Sequence, residues 1–369
     1  MGNWEGWATE PVGTEPLRAA PLRTEPARAA PLRFGTDYYA KDMAAYADTV
    51  RACEEAGLEL LGHGDSPCLW HDPYVALAVA AKASTTLRLG PMVTNPVSRH
   101  PAATAAAMAS LQELSGGRMM VGIGGGDSGV LNLGLRPAPI DEVVAYATAV
   151  RELTAGRPAT YHGERLALRW ATDPIRPVPV FLAAEGPKKL ALAGAMADGV
   201  IVSNGLTEDV VRDTIATVRQ GALDAGRPAD AVEIWWMVTF AFADTVEDGV
   251  ASLRWLLAAA ADHVFRFTTD GKRVPADKAE GLGQLMAGYA HGEHAVADGS
   301  AHNADLVDRY GLRDWLAERF AVTGPPEACV DRLRQIAGYG ATNLLFTQLV
   351  PDQIGFLRRL GTDVLPKVR

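Results

Sequence analysis

Short apolar runs alternate along the chain with longer segments in which apolar residues recur every three or four positions. The runs predict β-strands, and the periodic segments predict helices that pack one face against a sheet. The eight predicted strands are Leu32–Asp37, Leu58–Gly62, Leu87–Val93, Met119–Ile123, Val178–Ala183, Val200–Ser203, Val232–Phe242 and Asn343–Gln348. The helices predicted between them are Met43–Ala56, Tyr74–Ala83, Ala102–Leu114, Asp141–Leu153, Pro187–Ala197, Glu208–Ala225 and Pro326–Ala337. Because repeated strand–helix units are typical of a closed parallel sheet, we predict an α/β fold, a (β/α)8 TIM barrel.

Two segments interrupt this alternation. Ala159–Trp170 predicts a hairpin between the fourth and fifth units, and a longer segment, about residues 245–320, follows strand 7. The longer segment predicts several helices, among them Gly249–Ala261 and Asp305–Ala321. Insertions after barrel strands usually form lids or oligomer contacts. We therefore place this helical insertion within one barrel domain, residues 33–369, and expect a homo-oligomer, specifically a dimer.

The first 32 residues have a different pattern. The segment TEPLRAAPLR is followed directly by TEPARAAPLR, and proline recurs at every fifth position from Pro11 to Pro31. Proline interrupts helical hydrogen bonding, and the segment has little apolar surface to offset the entropy of ordering. We predict a disordered Pro/Arg-rich tail over residues 1–32. It is either an arm that docks a partner or a translated upstream stretch without chemistry.

Charge and cysteine content exclude several classes of function. The formal net charge is −9 and the pI is near 5.4, which argues against a nucleic-acid partner. The three cysteines lack CxxC spacing, so neither a disulfide framework nor a zinc knuckle is predicted. The chain has no apolar run long enough to span a membrane and no signal-peptide core at its start. We expect a cytoplasmic protein that acts on a small molecule, without a membrane partner.

Polar residues and glycines gather where the predicted strands end, whereas the junctions before the strands have few of them. The candidate ligand-binding residues at these ends are Asp37, Tyr38, Tyr39, His63, Asp65, Ser66, Thr94, Asn95, residues 124–128, Glu185, Gly186, Ser203, Asn204, Phe240, Phe242 and Gln348. In a barrel such residues meet at one face. The set is rich in glycine, amide and hydroxyl groups, and it lacks the paired histidine and carboxylate that hydrolases need. We infer that a cofactor carries the reaction.

The glycine loop GGGDSG, residues 124–129, formally fits the dinucleotide fingerprint G-x-G-x-x-G. However, it follows strand 4 instead of strand 1, and Pro137 and Pro139 delay the next helix. A nucleophilic serine is also excluded, because Val130 stands where a nucleophile elbow needs glycine. Two interpretations remain, a tight turn and a loop that approaches a cofactor.

Charged residues elsewhere leave two further questions. Lys188 and Lys189 lie in a predicted first helical turn, where the helix dipole disfavours cations; they either hold an anion or point to solvent. A histidine group in the insertion matches no standard ligand spacing, so no metal site is predicted. That group consists of His291, Glu293, His294, Asp298 and His302.

The segment MVTNPVSRHPAATAAAMASLQELSGGR, followed by an apolar strand and GIGGGDS, resembles the bacterial luciferase-like superfamily. It is most similar to the branch that uses the deazaflavin coenzyme F420, which includes methylenetetrahydromethanopterin reductases. The segments FLAAEGPKKLALAGAMADGVIVSNG and YGATNLLFTQL extend the resemblance from Phe34 to the C-terminus. The resemblance implies a flavin-type ring at the carboxyl ends of the strands.

It also implies site residues. Met92 and Val93 match a non-prolyl cis peptide bond that supports the central ring of the cofactor in this family. The positions matching its cofactor contacts and phosphate-bearing tail are Met92, Val93, Thr94, Asn95, Gly125, Gly126, Asp127, Ser128, Glu185, Gly186, Lys188 and Lys189.

One departure affects the chemistry. Where many relatives have Asp-His after strand 2, this chain has Asp65-Ser66, so the usual proton-donating histidine is missing. We predict Asp127 and Asp65 as the catalytic acids, because a carboxylate facing an apolar ring pocket can have a raised pKa. The residues predicted to meet the substrate are Tyr38, Tyr39, His63 and Ser66.

The sequence therefore predicts an oxidoreductase that transfers a hydride between coenzyme F420 and a small organic substrate. One alternative is an FMN-dependent monooxygenase that uses molecular oxygen and paired donors. The other is a non-catalytic cofactor-binding barrel that has lost its acid.

Overall fold

The computed structural model describes residues 31–40, 42–171, 176–293, 301–347 and 349–369. Its strands, in chain order, are β1 (Arg33–Tyr38), β2 (Leu60–His63), β3 (Arg88–Pro91), β4 (Val121–Ile123), β5 (Ala159–Tyr161), β6 (Glu164–Leu166), β7 (Val180–Ala183), β8 (Gly199–Val202), β9 (Glu233–Phe242), β10 (Ala321–Gly324) and β11 (Asn343–Thr347).

The parallel strands form a nearly closed barrel. Eight of them lie side by side in the order β3-β2-β1-β11-β9-β8-β7-β4. Two parallel bridges, Leu89 to Met119 and Thr94 to Ile123, join β3 to β4 and complete the circle. The predicted (β/α)8 barrel is confirmed, with β7, β8, β9 and β11 serving as the fifth to eighth barrel strands.

Helices cover the outside of this sheet, and their ends follow sequence signals. Asp72 caps α2 by accepting from the backbone N–H groups of Tyr74 and Val75. The helices are α1 (Tyr46–Glu55), α2 (Pro73–Ala83), α3 (Pro101–Leu114), α4 (Ser128–Leu131), α5 (Ile140–Thr154), α6 (Pro187–Met196), α7 (Glu208–Asp224), α8 (Val246–Phe265), α9 (Ala276–Gly288), α10 (Ala301–Arg309), α11 (Arg313–Phe320), α12 (Pro326–Tyr339), α13 (Gln353–Arg359) and α14 (Leu365–Val368). Two further short helices are of other types: His291–Glu293 is a 3-10 helix, and Leu360–Val364 is a π-helix.

Side chains of the strands alternate between two apolar layers, as strand geometry requires. The inner layer fills the barrel with the buried residues Leu60, Met92, Met120, Phe181, Ile201, Trp235 and Leu345. The outer layer, which includes Phe34 and Trp236, packs against the helices. The barrel interior is therefore a packed core, and ligands have to bind at its open carboxyl end.

The predicted hairpin is confirmed as the antiparallel pair β5 and β6. Two details of the insertion were predicted wrongly. The predicted helix Asp305–Ala321 is two helices, α10 and α11, separated at Gly311, whose φ of 64° is left-handed. Ala321 itself begins β10, a strand that pairs in parallel with Thr239–Phe242 of β9. Its four residues are too short and too weakly apolar to stand out beside an amphipathic helix.

The insertion has an apolar core of its own. Leu257 of α8, Leu285 of α9 and Leu316 of α11 are fully buried in one cluster, and Ala241 of β9 belongs to the same cluster. This core therefore continues from the strand that carries the insertion. Residues 31–369 form one compact unit.

Some predictions fall outside the described residues. They concern the tail up to residue 30, His294 and Asp298 of the histidine group, and Gln348. Within the described ranges, no helix is both long and apolar enough to cross a membrane.

We expect Gly90→Ala to destabilise the protein by about 1–3 kcal/mol, the usual cost of overpacking. A Cβ at Gly90 of β3 would lie 2.1 Å from the carbonyl oxygen of Met120, so the two strands would have to separate. Urea denaturation measures the free energy of unfolding. The matched control is Gly283→Ala in α9, where a Cβ meets nothing within 4 Å, and there alanine should stabilise the helix slightly. Equal stability of the two variants would contradict the proposed role of Gly90 in barrel closure.

Candidate active site

The carboxyl ends of the barrel strands carry an apolar floor made by Met92 and Val93. The peptide bond between them is cis, as the family resemblance predicts. Glycines make room for both side chains, because a Cβ at Gly62 would lie 2.3 Å from Sδ of Met92. A Cβ at Gly124 would lie 2.8 Å from Cγ2 of Val93. Met92 is buried and Val93 is half-buried, so the floor presents apolar surface to the barrel mouth.

Asp65 lies at this mouth in a hydrogen-bonded network. The Thr94 hydroxyl donates to Oδ2 of Asp65 over 2.7 Å, and the Tyr74 hydroxyl donates to Oγ1 of Thr94 over 3.3 Å. Burial raises the pKa of Asp65, although the Thr94 hydrogen bond and the charge of Arg99 act against the increase. Asp65 is thus a carboxyl group suited to holding a proton.

Asp127 has the opposite electrostatic character. Nδ1 of His263 donates to its Oδ2 over 2.5 Å, and Nη1 of Arg266 donates to its Oδ1 over 2.5 Å. Burial alone would raise the pKa of Asp127, but the His263 hydrogen bond and the two cations lower it well below the usual range. The prediction that Asp127 has a raised pKa is wrong, because the insertion brings two cations to it.

Glu185 is the second carboxylate that contacts His263. Its Oε1 lies 3.5 Å from Nε2 of the imidazole, and its Oε2 lies 3.5 Å from Nζ of Lys189. Burial favours the neutral acid, yet His263, Lys189 and Lys272 together lower the pKa of Glu185 to about 2. Glu185 is therefore ionised at neutral pH.

His263 of α8 links the insertion to two barrel loops. Burial disfavours its charged form, but hydrogen bonds and charges of Asp127 and Glu185 raise its pKa to about 10. The imidazolium is therefore the stable form at neutral pH. Sequence reasoning missed His263, because its partner Asp127 lies 136 positions away and nothing in the helix pattern marks it.

The next predicted cofactor residues lie in the loops after β3 and β4. Oδ1 of Asn95 accepts from the backbone N–H groups of Val97 and Ser98, both over 2.9 Å, and so shapes its own loop. The carbonyl of Gly125 accepts from Ala138, and Gly126 has a left-handed φ of 97°. A left-handed φ at Gly126 is typical of a tight turn and is equally compatible with a loop that approaches a cofactor, so both interpretations of the glycine loop fit this geometry.

The start of α6 carries the predicted anion-binding residues. Gly186 is the N-cap residue and no side chain caps the helix, so backbone N–H groups of the first turn are available to a ligand. Lys188 is exposed. Lys189 forms an ion pair with Glu185. This attraction offsets the repulsion between the lysine and the positive end of the helix dipole.

Two of the predicted substrate residues lie at the mouth. The Tyr39 hydroxyl donates to Oδ2 of Asp37 over 3.1 Å, and its ring packs on Trp70 with centroids 4.5 Å apart. Oγ of Ser66 is 3.1 Å from Oγ of Ser128, so the loops after β2 and β4 touch each other.

The other two predicted substrate residues are corrected by the structure. Tyr38 points outward from β1, where its hydroxyl donates to Oε1 of Gln353 over 2.6 Å. His63 is fully buried; its Nδ1 contacts the carbonyl of Gly64 and its Nε2 accepts from the backbone of Ala40. Burial lowers the pKa of His63 to about 4. Both side chains stabilise the fold and neither is free to meet a substrate.

The structure shows that Asp37 is a buried carboxyl group, which the sequence alone does not reveal. It is 1% exposed, and its Oδ1 has no hydrogen-bond partner among the described residues. Burial raises the pKa of Asp37 to about 7, against hydrogen bonds from Tyr39 and Thr347. Strand alternation points it into the barrel, on the side opposite to Tyr38. Asp37 is thus a second carboxyl group able to hold a proton near neutral pH.

Among the described residues, no group of three or more histidine, cysteine, aspartate or glutamate side chains has an arrangement that could hold a metal ion. His291 instead lies 3.8 Å from Oδ2 of Asp262, a buried carboxylate that also pairs with Arg266. His291 therefore lies beside the Asp262–Arg266 ion pair, whereas His302 contacts the backbone carbonyl of Gly288.

Comparisons with known proteins agree with the barrel fold. A family model described as luciferase-like monooxygenase matches residues 28–343. The chain is 26% identical to the 5,10-methylenetetrahydromethanopterin reductase of Methanopyrus kandleri, over 79% of this chain and 85% of that protein. It is 29% identical to the F420-dependent glucose-6-phosphate dehydrogenase of Nakamurella multipartita, over 91% and 96% of the two chains. The solved structure of the coenzyme F420-dependent tetrahydromethanopterin reductase from Methanopyrus kandleri superposes with a TM-score of 0.74, at 22% identity, over 92% of this chain and 100% of that chain.

We expect His263→Gln to lower the free energy of unfolding by about 1–3 kcal/mol near pH 5.5, the usual penalty for leaving buried polar partners unpaired. The pKa of Glu185 falls from its ordinary 4.5 to about 2, so its contribution is complete above pH 4.5 and is lost on acidification toward pH 2. The pKa of His263 rises from 6.5 to about 10, so its contribution is complete below pH 6.5 and is lost as the pH passes 10.

The difference between wild type and variant should therefore be largest between these limits and should shrink toward pH 10. Urea denaturation from pH 3 to 10 measures it. His302→Gln is the control, since Nε2 of His302 contacts only the carbonyl of Gly288 among the described residues. A difference that stays constant from pH 5.5 to 10 would show that the charge of His263 does not stabilise the fold.

Proposed function

The chain belongs to the luciferase-like monooxygenase family, and we propose that it is an oxidoreductase that binds coenzyme F420 at the barrel mouth and reduces or oxidises a small organic substrate. The observation that carries the proposal is the apolar floor of Met92 and Val93, built over glycines at the carboxyl ends of the strands. Such a floor fits a flat ring. The choice of F420 is supported by relatives whose names carry F420 dependence.

The residues around the floor fit a ring with a charged tail. Asn95 follows Val93 by two positions, and Gly125 and Gly126 lie in the loop after β4, whose Gly124 makes room for Val93. The uncapped start of α6 at Gly186, with the exposed Lys188 beside it, offers N–H groups and a positive charge to the tail. A bound deazaflavin supplies hydride transfer, which no amino-acid side chain performs.

Residues of the chain itself hold protons and exclude water at the mouth. Asp37 and Asp65 are buried carboxyl groups with raised pKa values, so each can hold a proton close to the floor. Asp127 is ionised and accepts from two cations, so its role is to orient neighbouring groups. Tyr39 and Trp70 pack together beside Asp37 and restrict the access of water to that side of the mouth.

A monooxygenase that uses FMN is the second candidate. It is favoured by the description of the matching family model. Both candidates need the same apolar floor and differ in the ring system that binds there.

Titration of the purified protein with F420 and, separately, with FMN tests the proposal. We expect quenching of F420 fluorescence with a dissociation constant at least about tenfold lower than that of FMN, a difference of about 1.4 kcal/mol. Tight binding of FMN alone would contradict the choice of F420 and favour the monooxygenase alternative. Binding of neither ring would contradict both.

Matched glycine variants make the test specific for the floor. Gly124→Ala should weaken F420 binding about tenfold, because the new Cβ forces Val93 toward the ring. Gly338→Ala in α12, where a Cβ meets nothing within 4 Å, should leave the affinity unchanged. Equal affinities of the two variants would place the ring elsewhere.

A further inference from the structure

Asp37 faces the barrel interior directly beside the floor. A Cβ at Gly35 would lie 2.8 Å from Cβ of Leu60, an inner-layer residue, and strand alternation gives Asp37 the same direction as Gly35. Asp37 is in register with Gly62 of β2, and the Met92 side chain lies against Gly62. Because neighbouring strands are about 5 Å apart, the carboxyl group lies at the edge of the apolar floor.

Two threonines continue from Asp37 along the inner face of the barrel. Asp37 is in register with Thr347 of β11, and Thr347 is in register with Thr239 of β9. Strand alternation from the inner-layer residues Leu345 and Trp235 turns both threonines inward. With about 5 Å between neighbouring strands, the three side chains form a row of oxygen atoms about 10 Å long. We call Asp37, Thr347 and Thr239 the polar row.

Asp37 differs from the ionised carboxylates of the site because it has no cation beside it. Asp127 and Glu185 are paired with cations of the insertion. Asp37 is 1% exposed, its Oδ1 has no hydrogen-bond partner, and no positively charged group among the described residues contributes to its pKa. A buried carboxylate needs a partner for its charge. A ligand that carries a positive charge would supply this partner.

An ammonium group matches the polar row better than a hydroxyl group does. An ammonium has three N–H donors and no acceptor, whereas a hydroxyl has one donor and no charge. Oδ1 of Asp37 can accept a first hydrogen bond from it. The Thr347 hydroxyl donates to Asp37, so its oxygen keeps lone pairs that can accept a second.

We propose that the polar row binds the protonated amino group of the substrate, whose carbon skeleton rests on the apolar floor. This inference rests on the proposed function and names the substrate class, a small primary amine. The Tyr39 hydroxyl occupies Oδ2 of Asp37 and leaves Oδ1 to the ligand. The Tyr39 ring packs on Trp70, and neither residue belongs to a strand, so both can move aside to admit the amine while the sheet stays intact.

The charge of Asp37 makes the proposed binding depend on pH. Burial raises the pKa of Asp37 to about 7, so the free protein carries a protonated Asp37 in weakly acidic solution. The titratable side chain that contacts it is Tyr39, which stays neutral because burial raises its pKa well above the usual range. Its strand neighbours Gly62 and Thr347 do not titrate. An ammonium ion must therefore displace the proton of Asp37 when it binds below pH 7.

Isothermal titration calorimetry of wild-type protein loaded with F420 tests the proposal with cyclohexylamine and cyclohexanol, which differ only in the polar group. We expect the amine to bind at least about tenfold more tightly than the alcohol at pH 8. Its affinity should fall by about tenfold per pH unit below pH 7. Titrations in two buffers with different heats of ionisation should show that amine binding at pH 6 releases about one proton. Cyclohexanol should show neither effect.

Asp37→Asn locates the binding, because it keeps the shape of the side chain and removes the charge. At pH 8 it should weaken cyclohexylamine binding at least about tenfold and abolish proton release, with unchanged affinity for cyclohexanol and F420. Thr347→Val should weaken amine binding by about three- to tenfold. The control is Asp224→Asn in α7, an exposed carboxylate that accepts from Gln220, and this variant should behave as wild type.

Equal affinities for amine and alcohol, or failure of both to bind, would overturn the proposal. Amine binding without proton release at pH 6 would also overturn it, and this result needs no variant. Failure of the wild type to bind F420 would instead contradict the proposed function, and the same amine titration without coenzyme then tests the polar row separately. Normal F420 binding with no preference for the amine would contradict only this inference.

Discussion

The rest of the structure depends on the close approach of β3 and β4, which is possible because glycines stand where the two strands meet. Gly90 packs on the carbonyl of Met120, and Gly122 leaves room for Val93. These contacts let two strands approach closely enough to close the barrel through single bridges. Because Gly122 also makes room for Val93, the closure of the barrel and the floor of the site depend on the same glycine.

A second layer of organisation is electrostatic. The insertion contributes His263 and Arg266 to a region where barrel loops contribute Asp127 and Glu185, so opposite charges alternate across the boundary. Buried carboxylates need such partners. The insertion therefore completes the site, and the same contacts separate the carboxyl groups into two kinds. Asp127 and Glu185 are ionised by their cations, whereas Asp37 and Asp65 lie where burial dominates.

The sequence predicts the barrel well because apolar runs and helical periodicity report local packing. It predicts the position of the cis bond only through family resemblance, since Met92 and Val93 carry no local signal. It does not separate Tyr38 from Tyr39, because adjacent strand residues face opposite layers and one must know which face is inside. The role of His263 and the strand β10 could not be predicted for another reason. Their partners lie far away along the chain, and local sequence patterns do not report contacts over such distances.

The pairing of β10 with the end of β9 determines how this enzyme family member can diverge. The chain leaves the barrel after Phe242 and returns at Ala321, which pairs with Thr239 on the same strand. Departure and return are therefore adjacent, and the intervening helices pack mainly on their own core. Evolution, or an engineer, can exchange that whole module for one of another length and chemistry without disturbing the register of the sheet. A replacement would have to bring cations of its own for Asp127 and Glu185, because His263 and Arg266 would leave with the exchanged helices.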